Sequence, residues 1–149
     1  MIYIQNRISK IEFDVAAFEK KAAIILNYLG YTDYDLNILI TTNKIVRRFN
    51  QQYRNIDKAT DILSFPYHTE LVAGEKIKPL SQDDQAIGDI IISLEYVFQD
   101  RHKLGKTFIE RMDRMLVHGI CHCLGYDHIE EEEYKVMYTL EKKLLGLIQ

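Results

Sequence analysis

A chain of 149 residues, 47% hydrophobic and 28% charged, has the size of one domain, taken here as the single unit 1–149. It can bury a core without disulfides or a structural metal. Nineteen basic against 22 acidic side chains leave a formal charge of −3, which excludes a general basic field for capturing nucleic acid and leaves only local patches for that task. Neither a signal-peptide core in MIYIQNRISKIEFDV nor any later run of membrane-spanning length is visible, so a cytoplasmic protein with no membrane partner is expected.

In chain order, Ile2 to Gln5 predicts a short strand. A helix follows from about Val15 to Leu29, with Asp14 placed to accept the free amide hydrogens at its start and Gly30 to take the left-handed conformation at its end. Leu36, Ile38 and Ile40 alternate with Asn37 and Leu39 as a mostly buried strand would. Thr42 can cap a second helix carrying Ile45, Val46, Phe49 and Tyr53 on one side. Asp61 to Phe65 reads as a strand stopped by Pro66, and Asp89 to Ser93, with three consecutive isoleucines, as a strand covered on both faces. Between them, Tyr67 to Gln85 has no periodicity. Leu94 to Leu104, Phe108 to Leu124 and Glu131 to Leu145 predict three more helices. The sum is an α+β domain with a central mixed sheet of about four strands and about five helices packed on it.

Two basic clusters, Lys44, Arg47, Arg48, Arg54 and Lys58, then Arg101, His102, Lys103 and Lys106, are candidate RNA patches; on charge alone each reads better as a solvated face. Cys121 and Cys123 lie inside one helical pattern, poor geometry for a mutual disulfide, and fit a reducing compartment as two small buried side chains.

The chemistry concentrates between His118 and His128. Thr107 followed by Glu110 forms a capping box that gives the fourth helix a defined start, and Gly125 gives it an end. His118 and His122 are four residues apart, which sets their imidazoles about 40° apart around the helix axis. Leu116, Ile120 and Leu124 lie on the opposite side. His128 follows the glycine, and a reversal there can bring it back toward the other two. Three neutral imidazoles on one side of an ion leave a fourth position open, as in a catalytic rather than a structural zinc site, where the ion lowers the pKa of a coordinated water toward ~7. Zinc is the expected ion, one per chain, at the end of a central helix; iron and nickel tolerate the same ligands.

The string HGICHCLGYDH, His118 to His128, resembles the H-G-x-L-H-L-x-G-Y-D-H signature of the YbeY endoribonucleases. NQQYRNIDKATDILSFP, from Asn50 to Pro66, is similar to that family's second block, with its Y-R and T-D-V-L-S-F-P elements, and IGDIIIS, Ile87 to Ser93, to a third. The blocks stand in the family's order, with Cys121 and Cys123 replacing two motif leucines and Ile62 a valine. The resemblance implies an α+β fold and zinc on His118, His122 and His128. It implies single-strand-directed endoribonuclease action in maturation of small-subunit ribosomal RNA near its 3′ end and in ribosome quality control. Ribosomal RNA, the small ribosomal subunit and ribosome-associated proteins are then the expected partners.

Within that expectation His118 and Arg54 are the candidate catalytic residues, and Arg54, Arg47 and Arg48 the candidate substrate-binding ones. Arg54 matches the arginine of the Y-R element, and its planar fork suits a phosphate; its bland alternative is an ion pair with Asp57 or Asp61. Asp127 and Asp61 are expected to support the ligands from behind. Thr60 and Ser64 should shape the neighbouring strand edge, Asp89 serves packing or backbone hydrogen bonding, and Glu130 to Glu133 should face away from substrate. Two rival readings stay open: a metallopeptidase, although Gly119 occupies the place of the glutamate in H-E-x-x-H enzymes, and a non-catalytic ribosome-assembly factor with a structural metal.

Overall fold

The computed structural model describes residues 1–149, the Leu104 side chain excepted. Four strands, β1 (Ile2–Asn6), β2 (Asp35–Thr41), β3 (Ile62–Pro66) and β4 (Ala86–Ser93), form one sheet in the order β1-β2-β4-β3. β1 pairs with β2 and β2 with β4 in parallel, while β3 runs antiparallel to β4. The helices are α1 (Val15–Leu29), α2 (Asn43–Arg54), α3 (Leu94–Gln99), α4 (Phe108–Cys123) and α5 (Glu131–Ile148). This is the mixed-sheet α+β architecture that the sequence predicts.

Local punctuation accounts for the helix boundaries. Asp14 Oδ1 accepts from the Ala17 amide at 3.0 Å, and Gly30 ends α1 at φ 84°. Thr42 Oγ1 accepts from Ile45 N at 3.3 Å. At the start of α4 the Thr107 hydroxyl accepts from Glu110 N at 3.1 Å, and the Glu110 carboxylate accepts in return from Thr107 N at 3.3 Å.

The sheet separates two apolar layers. Leu36, Ile38, Ile40, Ile90 and Ile92 join Phe18, Ala22, Ile25 and Leu26 of α1, Met112, Leu116 and Ile120 of α4, and Met137 and Leu144 of α5 in the main core. Ile91 turns the other way, onto Val46 of α2 and Leu63, with Leu39, Phe49 and Phe65 at the margin. The three consecutive isoleucines of β4, Ile90 to Ile92, are thus divided between both covered faces, by the two-residue side-chain period of a strand.

Several boundaries differ from expectation, among them the end of α5, which runs to Ile148 rather than Leu145. Pro66 does not stop β3 but is its last residue, opposite Gly88, which the missing N–H permits because β3 is an edge strand. β4 begins at Ala86, three residues before the expected Asp89, with a register shift against β2 between Asp35 and Leu36. α3 ends at Gln99 instead of reaching residue 104, and a 3-10 turn at Lys103–Gly105 follows. The Asp100 carbonyl accepts from Lys103 N at 2.9 Å in that turn and from Arg111 Nη1 at 3.0 Å, instead of making the next bond of a helix ladder. No helix among the described residues is long and apolar enough to cross a membrane.

Candidate metal centre

α4 lies against β3 and β4 and also contacts α1, α3 and α5, so its last two turns carry His118 and His122 at the edge of the core. The buried side holds Leu116, Ile120 and Leu124 as expected, together with Cys121 and Cys123. Gly119, between the two histidine turns, faces the sheet closely. A Cβ there would come within 2.8 Å of Ile90 Cδ1 and 3.0 Å of Ile62 Cδ1.

The exit from α4 brings the third histidine back. Gly125 has φ 92°, a conformation other residues rarely adopt, and a Cβ on it would stand 2.3 Å from the Leu71 carbonyl oxygen. Beyond this turn, His128 lies beside both helix histidines: ring centroids are 5.5 Å apart for His118 and His128, 5.1 Å for His122 and His128, and 4.4 Å for His118 and His122. One ring nitrogen from each falls within 4.8 Å of the others.

Hydrogen bonds determine which nitrogens face inward. His118 Nδ1 lies 2.9 Å from Glu141 Oε2 of α5, and His122 Nδ1 lies 2.9 Å from the Tyr126 carbonyl oxygen. Both partners are acceptors, so both imidazoles carry hydrogen on Nδ1 and present an Nε2 lone pair. In the neutral rings those two Nε2 atoms, 3.0 Å apart, face each other as lone pairs. A divalent cation fits this donor set: nitrogens of a tetrahedral zinc sphere stand about 3.3 Å apart. Burial, then the neighbouring His118 and His128, hold the His122 pKa below its ordinary value; a neutral imidazole is what ligation requires.

The supporting groups differ from those the sequence singled out. Asp127 Oδ1 accepts from the His128 backbone amide at 2.7 Å rather than from a ring nitrogen. Asp61 Oδ1 accepts from Ile62 N at 2.7 Å and from the Thr60 hydroxyl at 3.3 Å. Each carboxylate is drawn to a main-chain or hydroxyl donor closer than any imidazole. Glu141, which does bond a ligand histidine, was not picked out, because it lies 23 residues from His118 on another helix and no motif marks it. Its one signal is its place on the inward stripe of α5, between Met137 and Leu144.

The histidines open onto a cavity of about 630 Å³ whose lining includes Arg54, Asp61, Ser64, Asp127 and all three imidazoles. Arg54 Nη2 donates to the Ser64 carbonyl at 3.1 Å, and its guanidinium sits 5.8 Å from the Phe65 ring centroid. The alternative ion pair with Asp57 does not form, because Asp57 is taken by Arg47 through bonds of 2.7 and 3.1 Å. Arg47 and Arg48 do not line this cavity; the Asp57 carboxylate holds Arg47 elsewhere. Asp89 is exposed and also lies outside it. Glu130 to Glu133 are exposed and absent from its wall, and Lys135 draws Glu131 and Glu132 along α5. Cys121 and Cys123 are buried, as expected of two small apolar side chains, and burial pushes both thiols up, Cys123 to about 12.

Comparison with known proteins agrees with this geometry. A family profile described as endoribonuclease YbeY matches residues 3–149. The protein named endoribonuclease YbeY from Clostridium botulinum (strain Loch Maree / Type A3) is 35% identical over 161 residues, spanning 97% of this chain and 96% of its own. A human protein of that name is 35% identical over 144 residues, spanning 97% and 86%. One from Caldicellulosiruptor bescii is 33% identical, spanning 97% and 94%. A solution structure of a Thermotoga maritima protein superposes with a TM-score of 0.65 at 23% identity, covering 99% of this chain and 89% of the other, a likeness of fold. With the signature histidines converging in space and the match running through nearly the whole domain, this chain belongs to the endoribonuclease YbeY family.

Proposed function

We propose that this protein is a metal-dependent endoribonuclease that cuts single-stranded RNA, with one zinc ion held by His118, His122 and His128. Its setting in this reading is the cytoplasm, in maturation of small-subunit ribosomal RNA near the 3′ end and in ribosome quality control. The relatives' shared name supplies the activity class. The observation that carries the reading is the pair of Nε2 lone pairs 3.0 Å apart, each fixed by an acceptor on the far side of its ring, in a cavity that also holds Arg54.

Bound there, a divalent ion supplies Lewis-acid stabilisation of negative charge on phosphate and acidifies water. The chain's own groups do the rest. His118 and His122 are held in one tautomer and one orientation by Glu141 and the Tyr126 carbonyl. Arg54, stacked near Phe65 and tethered to the Ser64 carbonyl, spends one N–H on the protein and keeps others to donate to a phosphate oxygen. Asp127 fixes the backbone from which His128 projects. Arg47, engaged by Asp57 and outside the cavity, is left out of the substrate contacts, as is Arg48.

The metallopeptidase reading fares worse. The residue after the first histidine, where such enzymes carry glutamate, faces Ile90 and Ile62, and a Cβ there stands 2.8 Å from one terminal methyl and 3.0 Å from the other, so a side chain requires the isoleucines to shift. A structural ion in a non-catalytic assembly factor is disfavoured by the open cavity on the ligand side, since structural sites are closed.

The test is cleavage of a structured small-subunit ribosomal RNA fragment by wild type and by His118→Ala, with and without chelator, while circular dichroism follows the fold. Cleavage that disappears in the variant and in chelator, with the fold intact, supports the proposal. Equal cleavage in every sample points to a contaminant and overturns it.

A further inference from the structure

Resting on that reading, we propose that the groove between α4 and α5 beside His118 is a second RNA subsite. In it Tyr138 stacks on a base while Arg114 and Lys142 take the adjoining phosphates. A cavity of about 300 Å³ lies there, lined among others by Arg114, Tyr138, Glu141 and Lys142. It shares Asp61, Ile62 and His118 with the larger cavity that contains Arg54 and the other two imidazoles. The two cavities meet at those residues, Arg54 lining the larger and Arg114 and Lys142 the smaller.

Helical spacing places these groups together. Arg114 precedes His118 by one turn of α4, and Tyr138 precedes Lys142 by one turn of α5, so each pair shares a face. Tyr138 is 48% exposed and stacks on Tyr134, itself 53% exposed, at 5.9 Å and 13° between ring planes. Two parallel aromatic rings facing water add nothing to the core. Beside the Arg114 and Lys142 cations they are the platform that proteins use for bases of single strands, because every base offers a π-face.

The charges are also available. Among the described residues, neither Arg114 nor Lys142 has a carboxylate within ion-pair distance, in contrast to Arg47, Lys21 and Lys10. Of the two acids in this cavity, Glu141 is engaged by His118, and Asp61 accepts from Ile62 N and Thr60. A strand cut at the histidines needs holding on both sides of the scissile phosphate. Arg54 lines the cavity on one side, and Arg114 and Lys142 line the one on the other.

The experiment measures binding of a fluorescent single-stranded 2′-O-methyl RNA by anisotropy at several salt concentrations, for wild type, Tyr138→Leu, Tyr138→Phe and the double variant Arg114→Gln/Lys142→Gln. Tyr138→Leu should weaken binding about tenfold while Tyr138→Phe restores it, since stacking needs the ring and not the hydroxyl. The double variant should flatten the slope of log K against log salt by about 1.4, for two lost phosphate contacts at about 0.7 each. If the variants bind as tightly as wild type, with the same slope, while wild type still cleaves unmodified RNA, the subsite is wrong and the endoribonuclease reading stands. If wild type neither binds nor cleaves RNA, the reading beneath it fails too.

Discussion

The Glu141 carboxylate on α5 bonds His118 Nδ1 on α4 at 2.9 Å, so one ligand of the candidate metal centre is oriented by a helix that supplies no ligand itself. A carboxylate behind a metal-bound imidazole fixes its tautomer and raises its basicity. Glu141→Ala should weaken zinc binding by roughly 10- to 100-fold, and Glu141→Gln, which keeps an acceptor for Nδ1–H, should lose less. Competition against a chromogenic chelator reads the affinity directly. Identical affinities in all three proteins would remove Glu141 from the site.

Removing the metal should leave the fold in place. The histidines sit at the rim of a core built from the sheet, α1, α4 and α5, and no part of that core depends on the ion. Chelator should therefore leave the far-ultraviolet circular dichroism unchanged and lower the melting temperature only as far as loss of a bound ligand requires. Collapse of the spectrum on chelation would mark the site as structural.

Gly119→Ala should destabilise the protein by about 1–3 kcal/mol, the cost of overpacking, because the added methyl meets Ile90 and Ile62. Gly119→Glu should fail to restore a peptidase-like base and should cost more. Urea unfolding of both variants checks this; a Gly119→Glu protein as stable as wild type would show that α4 can lift from the sheet.

Glu95 gives stability a pH dependence. Its carboxylate accepts from Asn43 N, the first residue of α2, at 2.8 Å and pairs with Lys10 at 3.0 Å. These contacts hold its pKa below the usual value of 4.5, the Asn43 bond contributing most. In the interval between the folded and unfolded values the folded state binds fewer protons. The contribution is therefore complete above about pH 4.5 and is lost as pH falls through the lower, folded value. Glu95→Gln should be less stable than wild type by about 1 kcal/mol at neutral pH, and the gap should close in acid. A gap that persists unchanged at low pH would rule out the charge as its source.

Wherever the deciding interaction lies within a turn or two of chain, the sequence by itself determined the outcome. Asp14, Thr42 and Thr107 cap the helices they precede, and the side chains of β4 alternate between two cores. His118 and His122 share a helix face because four residues make about one turn. Gly125 announces the reversal that returns His128, since its conformation excludes other residues. Only the tertiary structure decided what depends on separate segments meeting. It chose Glu141 over Asp127 and Asp61 as the partner of the His118 ring, because that acceptor lies 23 residues away on another helix and comes near only when α5 packs on α4. It turned Arg47 onto Asp57 and left Arg54 in the cavity. It ended α3 early, where Arg111 takes the Asp100 carbonyl, and carried β3 through Pro66, because an edge strand has a side that needs no N–H. The groove beside His118 belongs to this second class, since Arg114 and Tyr138 become neighbours only when α5 packs on α4.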